Sequence, residues 1–379
     1  MAKPRYLTRL EQVHQLSASE RKTLEPVTNR FNFRSNEYYQ SLINWDDPFD
    51  PIRRIVMPDS FELYEWGELD ASHEEVYTVA PGVEHKYTDT VLLLVNDVCG
   101  AYCRFCFRKR LFMNDNDEVE KDVNEGLAYI AAHPEISNVL LTGGDPLLLS
   151  NRRLREIIGS LREIDHVHII RLGTKMPAFD PFRISEDSEL LDIISRYSTA
   201  RRKIYIMAHF SHPRELTPEA RNCLFKLHRA GAVIVNQTPL IRGVNDDPVI
   251  LAELFNRLSY IGVPPYYLFQ CRPTAGNFTY SMPIEHSLDI FQEARRHCSG
   301  LAKRARLTMS HFTGKIEILA KDKHFVYLKY HRAANPELVG VFMQFRRNSN
   351  AYWFDDYEES SEYCNATMEY NAAVAGKSQ

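Results

Sequence analysis

The run Val91-Leu92-Leu93-Leu94-Val95, followed after Asn96-Asp97-Val98 by Cys99-Gly100-Ala101-Tyr102-Cys103-Arg104-Phe105-Cys106, decides how the chain is read. Five consecutive apolar residues outline a strand covered on both faces. Similar runs follow at 138–142 (NVLLT), 167–172 (VHIIRL), 203–208 (KIYIMA), 232–237 (AVIVNQ) and 266–271 (YYLFQC). Between them lie amphipathic patterns of helical length near 118–132, 151–163, 187–197, 217–230 and 248–261, with another at 284–300. Six strand–helix units in series predict a parallel sheet with right-handed crossovers. Curled up, such a sheet is a partial or full (β/α) barrel, whose chemistry sits at the C-terminal ends of its strands. An open doubly wound sheet shares the local pattern. The expected fold class is α/β, a partial (β/α)6 barrel.

Outward from this core, residues 1–85 are polar and aromatic, with a proline-bearing loop at 47–54 (DDPFDPIR lies at 46–53), and read as a helical and loop segment. The barrel is expected over 86–320 and a small β-containing extension over 321–379. In that extension HFVYLKYH and LVGVFMQF are predicted strands, joined by a turn near Asn335–Pro336. An acidic, tyrosine-rich stretch (352–363) and a small-residue tail follow, the tail expected to be disordered.

The 379 residues are 44% hydrophobic and 25% charged, with a formal net charge of −4. That balance suits a globular protein and gives no reason to expect nucleic acid or an anionic membrane as partner. No apolar run approaches the ~20 residues that span a bilayer. The opening MAKPRYLTRLEQ has no secretory apolar stretch, so a cytoplasmic location is expected.

Seven cysteines is an odd number in a chain too large to need disulfide staples. Cys223, Cys271, Cys298 and Cys364 are scattered and read as small core or surface residues. Cys99, Cys103 and Cys106 fall together in a CX3CX2C spacing, just after the first predicted strand. Three thiolates suit a [4Fe–4S] cluster, leaving one iron without a protein ligand and open for catalysis. A structural zinc site would want a fourth Cys or His, and the nearest downstream histidine, His133, lies beyond a predicted helix. His209 and His212 have metal-like i,i+3 spacing but no evident third ligand.

CGAYCRFCFRKR resembles the cluster loop of radical S-adenosylmethionine (SAM) enzymes, specifically the lysine 2,3-aminomutase family. DPFDPIRR, HKYTDTVLLLV, LLTGGDPLLL, HFSHPREL, NQTPLIRGVND and PYYLFQC agree in order and spacing, over roughly residues 30–320. The resemblance implies a radical SAM barrel in which the unique iron chelates SAM and an electron from the cluster releases a 5′-deoxyadenosyl radical. Family members pass that radical to an amino acid held as an imine of pyridoxal 5′-phosphate (PLP), and the nitrogen migrates from C2 to C3. It also implies an electron donor such as flavodoxin or ferredoxin, and a homo-oligomer, as many family members form.

Residue by residue, the resemblance places Gly143, Gly144 and Asp145 at the amino end of SAM, with His209 and Gln237 as further polar contacts. Arg108 matches the arginine that grips the substrate α-carboxylate, a task for which a planar fork is suited. Lys315 matches the lysine that binds PLP, and only a lysine side chain brings the primary amine an imine requires. Lys86 and Tyr87 fit the phosphate-binding pattern, but Thr90 stands where the family usually has arginine, and a single glycine, Gly314, precedes the lysine instead of a glycine run. Two aspartates face the distal ammonium in lysine enzymes, and the matching positions here are Arg272 and Thr308. An arginine repels an ammonium and attracts a carboxylate, so an acidic amino acid is expected, glutamate first and aspartate second. The glutamate 2,3-aminomutase relative likewise has a basic and a neutral polar residue there. Two other readings stay open: a radical SAM enzyme that has lost PLP and catalyses another rearrangement, and a non-catalytic iron–sulfur or zinc protein.

Overall fold

The computed structural model describes residues 3–113, 118–119 and 122–357. The acidic stretch beyond Tyr357, the tail and Cys364 lie outside the described residues.

Its centre is a twelve-stranded sheet in one linear order. The strands are β1 (Thr78–Ala80), β2 (Val83–Tyr87), β3 (Thr90–Asn96), β4 (Asn138–Gly143), β5 (Ile169–Thr174) and β6 (Ile204–Ala208). They continue as β7 (Val233–Pro239), β8 (Pro265–Phe269), β9 (Arg306–His311), β10 (Gly314–Lys321), β11 (Phe325–Ala333) and β12 (Phe342–Arg346). Strands β3 to β9 pair in parallel, each with the next. At either end the sheet turns antiparallel, through β1–β2–β3 and β9–β10–β11–β12.

The six predicted strands are all present, and a seventh parallel strand, β9, joins them. Sequence reading passed over β9 and β10 because LTMSH and KIEILA alternate with polar residues instead of forming an apolar run. Their signal is period-2 alternation on both sides of Gly314, whose φ is +159°. The sheet runs without interruption past residues 85 and 320, since β2 pairs with β3 and β9 with β10.

The crossover helices start where short polar side chains can cap them. Ser150 Oγ accepts from Arg153 N at 3.2 Å before α1 (Asn151–Glu163), and Asp187 Oδ1 accepts from Leu190 N at 2.9 Å before α2 (Ser188–Tyr197). Thr217 and Asp247 do the same before α3 (Pro218–Arg229) and α4 (Pro248–Tyr260), each opening on a proline whose missing N–H costs nothing there. On α1 the buried residues are Leu154, Ile157, Ile158 and Leu161, a helical stripe laid against the sheet. Burying each such side chain stabilises by about 1.5–3 kcal/mol.

On its other face the sheet curls, and side chains bridge its two limbs. Tyr77 Oη donates to Phe312 O at 2.8 Å, Lys86 Nζ donates to His311 O, and Arg332 donates to Asp89 and Thr90. No backbone ladder joins the ends among the described residues.

The N-terminal segment wraps the cysteine loop. Arg104, between the second and third cysteines, is 2% exposed and pairs with the fully buried Glu62 at 2.8 Å. Arg104 Nη1 also donates to Asn32 O at 2.9 Å. Backbone N–H groups of Tyr102 and Arg104 donate to Arg34 O and Ile55 O, both at 2.9 Å. Removing one partner of a buried ion pair strands the other charge, so Glu62→Ala is expected to lower the free energy of urea unfolding by roughly 3–5 kcal/mol. A loss below about 1 kcal/mol, the size of an exposed pair, would contradict this account of the clamp.

Candidate active site

A cavity of about 330 Å³ lies inside the curl, at the C-terminal ends of the parallel strands. Of the residues singled out from sequence, Cys99, Cys103, Cys106, Arg108, Gly143, Gly144, Asp145, His209, Gln237, Lys86, Tyr87, Arg272 and Lys315 all line it. Thr308 does not. It sits on β9 facing the same way as Ser310 but deeper, fully buried, with Oγ1 lacking a partner. Ser310, two residues nearer the strand's C-terminal end, is the β9 side chain that reaches the cavity.

One end of the cavity belongs to the three cysteines. All are free thiols, half-buried on the same wall. Burial pushes each thiol up, Cys103 to about 12 and Cys99 well above the usual range. Such thiols become thiolates when a metal takes the proton's place. A cubane takes one thiolate at each of three corners, and three cysteines bordering one cavity supply that number. The donor set thus fits a [4Fe–4S] cluster with an open iron.

Gly143 and Gly144 serve the cysteine loop first. Gly143 has φ +97° and packs on Asn96 O, while a Cβ on Gly144 would come within 2.5–2.8 Å of Val98 backbone atoms. Their lack of side chains lets β4 and the loop entering Cys99 lie in contact. Asp145 is likewise an organiser: its carboxylate accepts from Thr174 Oγ1 (2.8 Å), Lys175 N (2.8 Å), Leu147 N (3.0 Å) and Met176 N (3.2 Å). Burial nonetheless pushes its carboxyl up to about 6. His209 is held neutral by burial and by Lys175, with Nε2 3.0 Å from Ser211 Oγ. The side chain of Gln237 has no hydrogen-bond partner among the described residues.

The opposite end holds Lys315, on β10. Its Nζ lies 5.6 Å from the Tyr87 ring centroid and 5.5 Å from those of Tyr267 and Phe269. Among the described residues it has no hydrogen bond or ion pair. Burial, then the charges of Lys86, Arg272, Arg332 and Arg171, drive its amine well below the usual lysine range. An unpartnered amine with its pKa lowered, beside an aromatic wall, is suited to act as a nucleophile. Tyr87 Oη is buried without a partner on the same wall. Amine, ring faces, orphaned hydroxyl and surrounding cations fit a planar carbonyl cofactor bearing an anionic group.

Between the two ends, Arg108 is engaged by three side chains. It pairs with Glu74 at 2.7 Å and Glu84 at 3.3 Å, and Nη1 donates to Thr142 Oγ1 at 3.0 Å. Arg110 also pairs with Glu74 at 2.7 Å. Burial opposes the Arg108 charge, but Glu74 and Glu84 outweigh it and raise its pKa. Burial and the neighbouring Glu74 raise the carboxyl of Glu84. Arg272 differs: it stacks 3.9 Å from the Phe107 ring centroid, donates to Ser72, and has no carboxylate partner among the described residues. Sequence reading missed Glu74, Glu84, Arg171 and Arg332. Arg171 was detectable as a lone cation within the apolar run VHIIRL; Glu84 and Arg332 depend on strand pairings that no local pattern announces, and Glu74, on the short turn Glu74–Tyr77, on its long-range pairing with Arg108.

The radical SAM superfamily model matches residues 93–255. A protein of Aquifex aeolicus (strain VF5), provisionally named an L-lysine 2,3-aminomutase, is 55% identical over 377 residues, 99% of each chain. The L-lysine 2,3-aminomutase of Clostridium subterminale is 38% identical over 266 residues, 69% of this chain and 62% of that one. The glutamate 2,3-aminomutase of Clostridioides difficile (strain 630) is 33% identical over 295 residues, 77% and 68% of the two chains. Fold and cysteine loop are those of a radical SAM enzyme, with the [4Fe–4S] cluster and SAM that class uses. Within that class the chain belongs to the lysine 2,3-aminomutase family, a family of isomerases acting on lysine or glutamate.

Lys86 links this site to stability. Burial, then Arg272, lowers its amine to about 7 from the usual 10.5. Between those values the unfolded chain binds a proton that the folded chain lacks, so stability rises with pH through the window and the penalty is complete below it. Cofactor-free protein is expected to gain urea stability from about pH 7 upward, and Lys86→Met to flatten that gain. Parallel wild-type and variant profiles would contradict the assignment.

Proposed function

We propose that the chain is a PLP-dependent amino acid 2,3-aminomutase that moves the 2-amino group of an acidic amino acid, glutamate first, to C3. The observation that carries this reading is Lys315: a buried amine without a partner, in the same cavity as the three cluster cysteines. Bound there, the cluster and SAM supply a carbon radical, and PLP supplies the carbonyl that takes up the amino acid.

The residues do the rest by placement. Tyr87, Tyr267 and Phe269 wall off the amine and keep water from it. Arg272 binds a side-chain carboxylate, since no carboxylate among the described residues is in direct ion-pair contact with its guanidinium, Glu74 and Glu84 acting on it only from a distance. Arg108 meets the α-carboxylate by exchanging Glu84, its longer contact, whose raised carboxyl takes up a proton as it withdraws. An external one-electron donor, such as flavodoxin or ferredoxin, reduces the cluster.

Lysine is the second reading. The relatives' names favour it, and Glu74 and Glu84 bring carboxylates to the cavity wall. Both already face Arg108, which leaves them poorly placed to take an ammonium.

Borohydride reduction of anaerobically purified protein incubated with PLP, followed by peptide mass mapping, tests the cofactor. A pyridoxyl group on Lys315 is the expected result. An unlabelled Lys315 in protein that still cleaves SAM would leave a radical SAM enzyme without PLP and sink the aminomutase reading.

A further inference from the structure

At the Lys315 end, two guanidiniums from distant strands share the cavity wall. Arg332 lies directly opposite Lys315 in the antiparallel register of β10 and β11. Residues so paired project to the same face of the sheet. Arg332 Cζ is 4.3 Å from the Tyr87 ring centroid, against the same ring that Lys315 faces. One of its nitrogens donates to Asp89 and, at 3.2 Å, to Thr90 Oγ1. Arg171 reaches the wall from β5, with Nε fixed by Asn138 Oδ1 at 2.8 Å. Among the described residues, Nη1 and Nη2 of Arg171 and Nε and Nη1 of Arg332 have no acceptor.

Two cations in one enclosed wall repel each other, and burial adds to the cost of keeping both charged. Arg171 is lowered by burial and by Arg332, yet has no carboxylate partner of its own. Asp89, the acid paired with Arg332, is more than half exposed and acts on Arg171 only from a distance, so one carboxylate stands against two guanidiniums. The arrangement calls for a dianion. Thr90 itself is the position where the resemblance leads one to expect an arginine, and the Arg332 guanidinium is delivered to the Thr90 hydroxyl from the other limb of the sheet.

We infer that Arg332 and Arg171 form the binding site for a phosphate monoester, that of the pyridoxal cofactor, with Arg332 replacing from β11 the cation missing at Thr90. This rests on the PLP reading above and names residues outside the segments that carry the resemblance. A guanidinium fork suits the tetrahedral dianion, and each charge-assisted contact is worth at least about tenfold in affinity.

The test is spectroscopic titration of cluster-loaded protein with PLP and with pyridoxal, which lacks the phosphate, scored also by borohydride labelling of Lys315. Wild-type protein is expected to bind PLP at least about a hundredfold more tightly than pyridoxal. Arg332→Gln and Arg171→Gln are each expected to weaken PLP about tenfold or more and leave pyridoxal unchanged, with Arg332→Lys intermediate. Iron content and circular dichroism matching wild type establish that the variants fold. PLP affinity unchanged in both glutamine variants, or PLP and pyridoxal weakened equally, would overturn the phosphate site while leaving PLP use intact. Failure of wild-type protein to bind either compound would overturn both.

Discussion

The site depends on drawing the two limbs of a linear sheet together with side chains instead of backbone bonds. A twelve-stranded sheet left open would expose Arg171, Arg272 and Lys315 to water, where each has its ordinary chemistry. Lys86 to His311 O, Tyr77 to Phe312 O and Arg332 to Asp89 span the gap. Closure of this kind turns one sheet face into a cavity wall, and the parallel strands then deliver their C-terminal ends to a single space. The cysteine loop enters at one end of that space because the N-terminal segment holds it through Arg104 and Glu62.

Enclosure decides the electrostatics. Lys86, Arg171, Arg272, Lys315 and Arg332 all border the cavity, while of its carboxylates Glu74 and Glu84 face Arg108 and Asp145 is taken up by Thr174 and backbone N–H groups. With cations in excess and water thinned out, the least costly response is for an amine to give up its proton. The amines of Lys86 and Lys315 are both lowered in this way, whereas guanidiniums hold their protons and wait for anions. One imbalance thus yields a nucleophilic amine and a set of anion-binding arginines. The same imbalance is what the proposed preference for an acidic amino acid rests on.

The six central strands could be read from sequence because each is an apolar run bounded by a helical pattern, and helices α1 to α4 announce their starts with Ser150, Asp187, Thr217 and Asp247. Strands β1, β2, β9 and β10 could not, because polar residues break the apolar run: Glu84 and Lys86 in β2, Thr308 and Ser310 in β9. The cysteine triad was legible from spacing alone. Lys315, Arg108 and Arg272 emerged through resemblance, which gives identity but not surroundings. It could not show that Arg108 is clasped by two glutamates, nor that Thr308 lies below the reach of the cavity. Arg332 was invisible, one more cation at the end of a tyrosine-rich strand, until the register set it against Lys315.

The central claim is that SAM and an amino acid react within this one cavity. The most direct measurement is isotope transfer: glutamate deuterated at C3 incubated anaerobically with the cluster- and PLP-loaded protein, SAM and a reductant, followed by mass analysis of the 5′-deoxyadenosine formed. The account predicts deuterium in the deoxyadenosine, and none when Lys315 is replaced by alanine. Deoxyadenosine that carries no deuterium from C3-labelled glutamate, aspartate or lysine alike would contradict it.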